Sequence, residues 1–244
     1  MIFTIGVYKG GTGKTTTAAA FAYYLAQKTQ KKTLVIDLNS QGSLSMIMAA
    51  HGRNGSIADA IHGAKVTPET VKGANKLFLL PASVKLKKIR EPEAIADAIR
   101  EAARGFHNVV IDTPPENEEF LTGALLSSGR ALVPLHADIY GVQGFLQMVA
   151  LVKQIQERRP ALEFAGVLLN EYNARARIAR TTREAIMQAA EVEGVPYLGE
   201  VRKGVAIEEA AALRVSVFDH APTSKPAEDF AEIFNKIIFN GGIM

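Results

Sequence analysis

The sequence is 244 residues long, with 48% hydrophobic and 22% charged residues and a formal net charge of +3. This length and hydrophobic content are typical of a globular chain with a substantial core, and they exclude an intrinsically disordered protein. The absence of cysteine excludes disulfides and iron–sulfur clusters held by thiolates. No apolar run reaches the roughly 18 residues of a membrane-spanning helix. We therefore expect a single cytoplasmic domain over residues 1–244, without a signal peptide.

Short apolar segments alternate with amphipathic ones along the whole chain. The predicted strands are residues 2–7, 33–37, 77–81, 108–112, 131–135 and 164–169. The predicted helices are residues 16–30, 91–104, 118–128, 141–159, 178–193 and 227–239. Because the strand segments show little polar alternation, both of their faces are expected to be buried. The pattern predicts an α/β fold, a doubly wound and mostly parallel sheet with helices on both faces, in which ligands bind at the carboxyl ends of the strands.

A glycine-rich loop separates the first predicted strand from the first predicted helix. It reads Lys9-Gly10-Gly11-Thr12-Gly13-Lys14-Thr15-Thr16. Glycines allow backbone N–H groups to approach an anion closely, and the N-terminus of the following helix adds its positive dipole end. Lys14 can reach the β- and γ-phosphates of a nucleotide, and the hydroxyl of Thr15 can bind Mg²⁺. The loop therefore predicts a phosphate-binding site in a fold like that of P-loop NTPases.

A carboxylate ends the strand predicted at residues 108–112. Val109, Val110 and Ile111 precede Asp112, which is the Walker B arrangement, where a carboxylate holds Mg²⁺ or a water bound to it. An apolar strand followed by a polar residue is common on its own. Together with the phosphate-binding loop, it predicts a magnesium site.

The loop begins with an additional lysine, Lys9, in front of Gly10-Gly11. This form resembles the deviant Walker A box of the ParA/MinD family of ATPases, and Asp112-Thr113-Pro114-Pro115 is also similar to that family. The resemblance spans almost the whole chain. It implies that residues 9–16 bind ATP with Mg²⁺, that ATP binding produces a homodimer, and that Lys9 crosses to the nucleotide of the partner subunit. Lys9 and Lys14 are then catalytic, because they add positive charge where phosphoryl transfer collects negative charge.

The segment Asp37-Leu38-Asn39-Ser40-Gln41-Gly42 resembles the Asp-x-Asp-Pro-Gln-Gly segment of that family. The resemblance places Asp37 near the metal and Asn39 where a second aspartate orients the attacking water. An amide cannot accept a proton as a carboxylate does, although its oxygen can still bind a water. We therefore expect intact nucleotide binding and slow hydrolysis. A natural variant, an engineered trap and a subgroup with other chemistry all fit Asn39.

Two further polar residues follow predicted strands. The resemblance implies that Asn170 recognises adenine, which suits an amide that can both donate and accept; a simple turn residue is the alternative. Asp138 is either an interface residue or part of a helix N-terminus. The histidines, His51, His62, His107, His136 and His220, form no metal-like cluster in the sequence.

A cluster of arginines begins at residue 175. Arg175, Arg177, Arg180 and Arg183 occur within nine residues, and Arg202 and Lys203 follow the next short strand. In ParA proteins such residues hold non-specific DNA through its phosphates; a solvated helix face is the alternative. The final helix carries more acidic than basic residues, so we expect it to pack on the core rather than on a membrane.

The resemblance implies a short ParA-type partition ATPase, associated with the nucleoid and stimulated by a ParB-like protein. Its cargo would be a plasmid or other DNA. A MinD-like positioning ATPase on a membrane or polar complex is one alternative. A nucleotide-dependent regulatory switch with little hydrolysis is another, consistent with Asn39. A metabolic P-loop ligase is a further alternative, without a substrate-pocket signature in the sequence.

Overall fold

A computed structural model describes residues 1–49, 52–115 and 117–240. The strands are β1 (Ile2–Ile5), β2 (Thr33–Asp37), β3 (Glu69–Thr70), β4 (Leu77–Leu80), β5 (Asn108–Asp112), β6 (Arg130–His136), β7 (Glu163–Tyr172) and β8 (Tyr197–Arg202). The helices are α1 (Lys14–Thr29), α2 (Ser43–Ile47), α3 (Ile57–Ile61), α4 (Pro92–Ala102), α5 (Glu118–Ser127), α6 (Gly141–Gln156), α7 (Arg177–Glu193), α8 (Val205–Leu213), α9 (Val217–His220) and α10 (Lys225–Asn240). A 3₁₀ helix covers Val84–Lys88.

The strands form an eight-stranded sheet in the order β3-β4-β2-β5-β1-β6-β7-β8. Every neighbouring pair is parallel except β3 and β4, which are antiparallel. From β1 the chain first forms β2 to β4 on one side, then returns to place β5 between β1 and β2, and finally adds β6 to β8 on the other side. This confirms the predicted doubly wound α/β class. The carboxyl ends of β1, β2, β5, β6 and β7 therefore meet at the same edge of the sheet.

Alternate residues of each strand pack on opposite sides of the sheet. On one side, Val35, Val110 and Leu132 contact α1 and α10. Phe21 of α1 links Phe3 in β1, at 5.0 Å between ring centroids, to Phe234 in α10, at 4.9 Å. On the other side, the intervening residues of the same strands pack against α3 to α7. Burying both faces explains why the strands are continuously apolar.

The last helix, α10, is held in position by packing against the core. Phe230, Ile233, Phe234, Ile237 and Ile238 of α10 are at most 3% exposed and belong to the same core as α1. The apolar stripe of this helix is therefore covered by the protein, as the sequence indicates.

The structure adds elements that the sequence pattern does not reveal. The edge strand β3 has two residues, and α2, α3 and α9 have four or five, so none shows a measurable period. Strand β1 ends at Ile5 rather than at residue 7, because the chain turns there into the glycine-rich loop. Strand β7 is longer than predicted and extends past Asn170 to Tyr172.

Candidate functional site

The glycine-rich loop connects the central strand to α1 and takes a conformation that depends on its glycines. Gly11 and Gly13 have φ values of 74° and 80°, in the left-handed region that favours glycine. At Gly13 a Cβ atom would lie 2.5 Å from Nδ2 of Asn170. Helix α1 begins at Lys14, and no side chain caps its N-terminus among the described residues. The N–H groups of its first turn are thus available to an anion, as in a phosphate-binding loop.

Lys14 and Thr15 join this loop to the neighbouring strand ends. The Lys14 side chain folds back over the loop, where its Nζ donates to the carbonyl oxygen of Lys9 at 2.6 Å. The Thr15 hydroxyl donates to Oδ2 of Asp112 at 2.7 Å. A lysine amine and a threonine hydroxyl are therefore positioned side by side, beside a strand-end carboxylate.

Asp37 and Asp112 lie side by side at the carboxyl ends of β2 and β5. They are partners in the parallel register, and both are completely buried. Burial raises the pKa of Asp112 to about 8, and the nearby charge of Asp37 adds to the effect. Burial also raises the pKa of Asp37, against hydrogen bonds from Ser45 and Asn39. Two buried carboxylates at one place are costly unless a cation or protons compensate them.

Asp112 keeps one buried oxygen for another ligand. Its Oδ1 has no hydrogen-bond partner within the described part of the chain. In contrast, Asp37 accepts from the backbone N–H and the hydroxyl of Ser45, at 2.9 and 2.7 Å, and from the N–H of Asn39 at 3.0 Å. Carboxylate and hydroxyl oxygens are the ligands that Mg²⁺ prefers, so Asp112, Asp37 and Thr15 fit this ion.

Asn39 is held in the turn that follows β2. Its Oδ1 accepts the N–H of Gln41 at 3.1 Å, and its own carbonyl accepts the N–H of Gly42 at 2.7 Å. The residue is 8% exposed. Its amide oxygen therefore stabilises the local turn in this conformation, and an attacking water would have to compete for it.

Lys9 contacts residues of its own chain. Its ammonium forms an ion pair with Asp138 and lies 5.0 Å from the centroid of the Tyr140 ring. The other oxygen of Asp138 accepts the N–H of Tyr140 at 2.9 Å, just before α6 begins at Gly141. Asp138 thus organises the turn in front of α6 without being its N-cap, and it places a negative charge beside Lys9.

Asn170 lines a cavity of about 90 Å³ beside the loop. The cavity also contacts Gly13, Thr16, Glu171, Val201, Arg202, Lys203, Gly204, Ile207 and Glu208. The amide nitrogen of Asn170 donates to the carbonyl oxygen of Thr12 at 2.8 Å and to the Thr17 hydroxyl at 3.0 Å. The predicted base-binding residue therefore lies beside a cavity, and it also contacts the phosphate loop directly.

The six predicted DNA-binding residues do not form one uniform patch. Three of them are paired with acids of the same chain: Arg183 with Glu200, Arg202 with Asp229 and Lys203 with Glu171. Arg175, Arg177 and Arg180 are exposed at the start of α7 and form no ion pair with any described residue. Of the six, these three alone have no described acid paired with them.

The sequence did not indicate Thr17 and Ser45, although both contact the site. Their partners, Asn170 and Asp37, lie far away in the sequence or across an irregular turn, so no local pattern marks them. His51 lies outside the described residues, and those residues contain no group of three metal-ligating side chains. None of the described helices is long and apolar enough to cross a membrane.

The fold and this site define a P-loop nucleotide-binding protein, and comparison with known proteins identifies its family. The model of a family described as "AAA domain" matches residues 1–164. The chain belongs to this family and is a P-loop ATPase of the ParA/MinD type. It is 28% identical to the chromosome-partitioning ATPase Soj of Thermus thermophilus over 94% of this chain and 92% of Soj.

Two solved structures share the fold at lower sequence identity. An ATP complex of a McdA variant from Cyanothece superposes with a TM-score of 0.85 and 17% identity, over 100% of this chain and 96% of McdA. The septum site-determining protein MinD from Pyrococcus horikoshii, complexed with Mg-ADP, superposes with a TM-score of 0.81 and 22% identity, over 99% and 97% of the two chains. The McdA variant was thus solved with ATP, and MinD with Mg-ADP.

Proposed function

We propose that this chain is a single-domain ParA-type ATPase that binds ATP and Mg²⁺, closes into a homodimer over the nucleotides and then holds non-specific DNA. In this proposal it partitions a plasmid or other DNA cargo on the nucleoid, with a ParB-like protein stimulating hydrolysis. The observation that carries the proposal is the position of the phosphate loop against the buried pair Asp37 and Asp112, where Oδ1 of Asp112 has no partner among the described residues.

The proposed nucleotide site follows from these contacts. Residues 10–16 and the N-terminus of α1 cradle the phosphates, and Lys14 pairs with the β- and γ-phosphates. Thr15, Asp37 and Asp112 hold the magnesium ion, which neutralises charge on the phosphates when it is bound. Asn170 and the adjoining cavity take the base. Protein sites usually bind Mg²⁺ through one or two carboxylates together with the phosphates of the substrate, and these buried oxygen ligands fit that arrangement.

Turnover is expected to be slow for two reasons. Asn39 offers an amide where a carboxylate would orient the water, and its oxygen already accepts the N–H of Gln41. Lys9 must also leave Asp138 and Tyr140 before it can reach the nucleotide of a partner subunit. The chain would therefore remain in an ATP-bound state for long periods unless a stimulating protein acts on it.

The DNA-binding part of the proposal depends on the exposed arginines at the start of α7. Arg175, Arg177 and Arg180 can contact phosphates without first breaking an ion pair to any described acid. Phosphate contacts of this kind supply affinity without reading sequence. The relationship to Soj, whose name describes chromosome partitioning, supports the same choice.

Retention of DNA tests this part of the proposal. We expect the chain to bind a DNA fragment with Mg-ATP but not with Mg-ADP, and Arg177→Glu to remove most of that binding. Arg104→Glu is a control, because Arg104 is an exposed arginine in the turn after α4, where it pairs with Glu101. Absence of binding in both nucleotide states, or equal loss in both variants, would overturn the DNA-binding role.

A regulatory nucleotide switch is the second candidate, and Asn39 is the observation that favours it. Such a protein would bind Mg-ATP, change its association state and hydrolyse ATP negligibly with or without a partner. A MinD-like positioning role is the remaining alternative, to which the fold likeness to MinD applies equally. Co-sedimentation with liposomes separates it from partition, since ATP-dependent lipid binding without DNA binding would favour that role.

A further inference from the structure

Asn170 faces the phosphate loop with the nitrogen side of its amide. The nitrogen donates to the Thr12 carbonyl at 2.8 Å and the Thr17 hydroxyl at 3.0 Å, with a longer contact of 3.5 Å to the Gly13 carbonyl. Carbonyl oxygens can only accept, so the group facing them must be the NH₂ group. The amide oxygen therefore faces away from the loop, and it accepts no hydrogen bond from a described residue.

The loop and this amide fit one another closely. Asn170 is 5% exposed and lies in β7, within the stretch where the pairing with β8 is irregular. Its nitrogen lies where Gly13 lacks a side chain, since a Cβ atom there would be 2.5 Å away. The left-handed backbone of Gly13 and the position of Asn170 therefore depend on each other.

The same amide also fixes the start of α1. Thr17 is completely buried, and its N–H donates to the Gly13 carbonyl at 2.8 Å, within the first turn of the helix. By contacting the Thr12 carbonyl and the Thr17 hydroxyl together, Asn170 connects the loop to that turn. The N–H groups of this turn are the ones that would face the phosphates.

We propose that Asn170 is a positioning residue that holds the phosphate loop in its anion-binding conformation, independently of any contact it makes with a base. This inference rests on the proposed function, because it assumes that the loop holds a triphosphate. It gives the two sides of one amide different roles: the nitrogen orders the loop and the oxygen remains for the base. A donor on the base would polarise the amide and strengthen its bonds to the loop, so base and phosphate binding are coupled.

Inorganic tripolyphosphate, which has no base, separates this role from base recognition. We would measure its affinity with Mg²⁺ by displacement of a fluorescent ATP analogue, and the affinity of the analogue itself, for the wild type and two variants. Asn170→Ala should weaken tripolyphosphate about tenfold, and Thr17→Val, which removes one acceptor and leaves Asn170 in place, about threefold. A residue that only reads the base would leave tripolyphosphate binding unchanged.

Asn108→Ala is the matched control. Asn108 is also a buried asparagine, whose amide donates to the hydroxyls of Thr29 and Thr33 at 3.2 and 3.5 Å, at the opposite edge of the sheet. The Asn108→Ala variant should have a lower melting temperature than the wild type and the same affinity for tripolyphosphate. Two outcomes would show that the positioning role is wrong while the proposed function stands, provided that the wild type binds the ATP analogue. In the first, all variants bind tripolyphosphate with equal affinity. In the second, tripolyphosphate does not displace the analogue at all. A wild type that binds neither probe overturns both.

Discussion

The Lys9 ammonium is paired with the Asp138 carboxylate of its own chain, 129 residues away, at the entrance of the phosphate loop. Both side chains are about one-third exposed, at 34% and 38%. The pair neutralises a lysine that would otherwise present its charge on the surface beside the nucleotide site. In the single chain, Lys9 is therefore held in place rather than freely available to a second copy.

Releasing Lys9 should favour the ATP-dependent dimer. Asp138→Asn removes the charge but leaves an oxygen that can accept the N–H of Tyr140. Because a partly exposed ion pair contributes about 0.2–1 kcal/mol, we expect the dimer dissociation constant with Mg-ATP to fall by a factor of about 1.4 to 5. Light scattering during size-exclusion chromatography, at several protein concentrations, measures this dissociation constant. Asp97→Asn, which removes an exposed pair with Arg100, is the control, and an equal effect in both variants would contradict the account.

Introducing a carboxylate at position 39 should raise ATP turnover. Asn39→Asp provides a group that can orient and accept a proton from water, and such groups contribute about 10²–10⁴-fold to a rate. We expect an increase in turnover of about tenfold, below this range. The gain is limited because the negative charges of Asp37 and Asp112 lie nearby and disfavour a third carboxylate. Steady-state phosphate release measures turnover, with Asn39→Ala as a control that should show no increase. Equal rates for wild type and Asn39→Asp would contradict the role assigned to this position.

Asp112→Asn should stabilise the chain in the absence of nucleotide and magnesium. The folded-state pKa of Asp112, about 8, lies above its ordinary value of 3.8. The folded protein therefore holds this proton more tightly than the unfolded chain, so its stability decreases as the pH rises from about 4 towards 8. In EDTA at pH 8, the variant should melt several degrees higher, since about 1 kcal/mol shifts the melting temperature by roughly 2–4 °C in a chain of this size.

The pH dependence provides the control for that prediction. The wild type should lose stability between pH 5 and pH 8, and the slope for Asp112→Asn should be smaller, because the titrating group is absent. Mg-ATP should raise the melting temperature of the wild type more than that of the variant. If the variant melts at a lower temperature than the wild type in EDTA, Asp112 is not a carboxylate that destabilises the fold when no metal ion is bound.

Gly13→Ala should abolish nucleotide binding, and Gly11→Ala should weaken it less. Both glycines have positive φ, but a Cβ at Gly13 would lie 2.5 Å from the Asn170 amide, whereas a Cβ at Gly11 meets no atom within 4 Å. At Gly11 only backbone strain of about 1–2 kcal/mol remains. Titration of a fluorescent ATP analogue distinguishes the two, and equal affinities would show that the contact with Asn170 does not shape the loop.

The local parts of the site were predictable from sequence, and its long-range contacts were not. An apolar strand that ends in a carboxylate is a local pattern, so Asp37 and Asp112 were placed correctly at neighbouring strand ends. The pair of Lys9 with Asp138 depends on how β1 and β6 are arranged in the sheet, which no short motif specifies. The bond from Asn39 to Gln41 depends on the geometry of an irregular turn, for which hydrophobic periodicity carries no information.

The arginines of α7 also show that long-range contacts cannot be predicted from a local pattern. Arg177, Arg180 and Arg183 recur every three residues, a spacing that predicts one shared face of a helix. The structure turns Arg183 towards Glu200 of β8, because α7 packs beside that strand. Arg180 lies in the first turn of α7, and its guanidinium donates to the carbonyls of Ala174 and Arg175 in the preceding loop. Helical spacing predicts the side of a helix, but not which neighbouring acid lies opposite.

Calorimetric titration of Mg-ATP tests the central claim most directly. We predict that the wild type binds one ATP per chain only when Mg²⁺ is present, and that Lys14→Ala weakens binding at least about tenfold because a charge-assisted contact to phosphate is lost. Arg104→Ala, far from the site, should bind as the wild type does. Absence of binding by the wild type, or an affinity unchanged by Lys14→Ala and by chelation of Mg²⁺, would contradict the account.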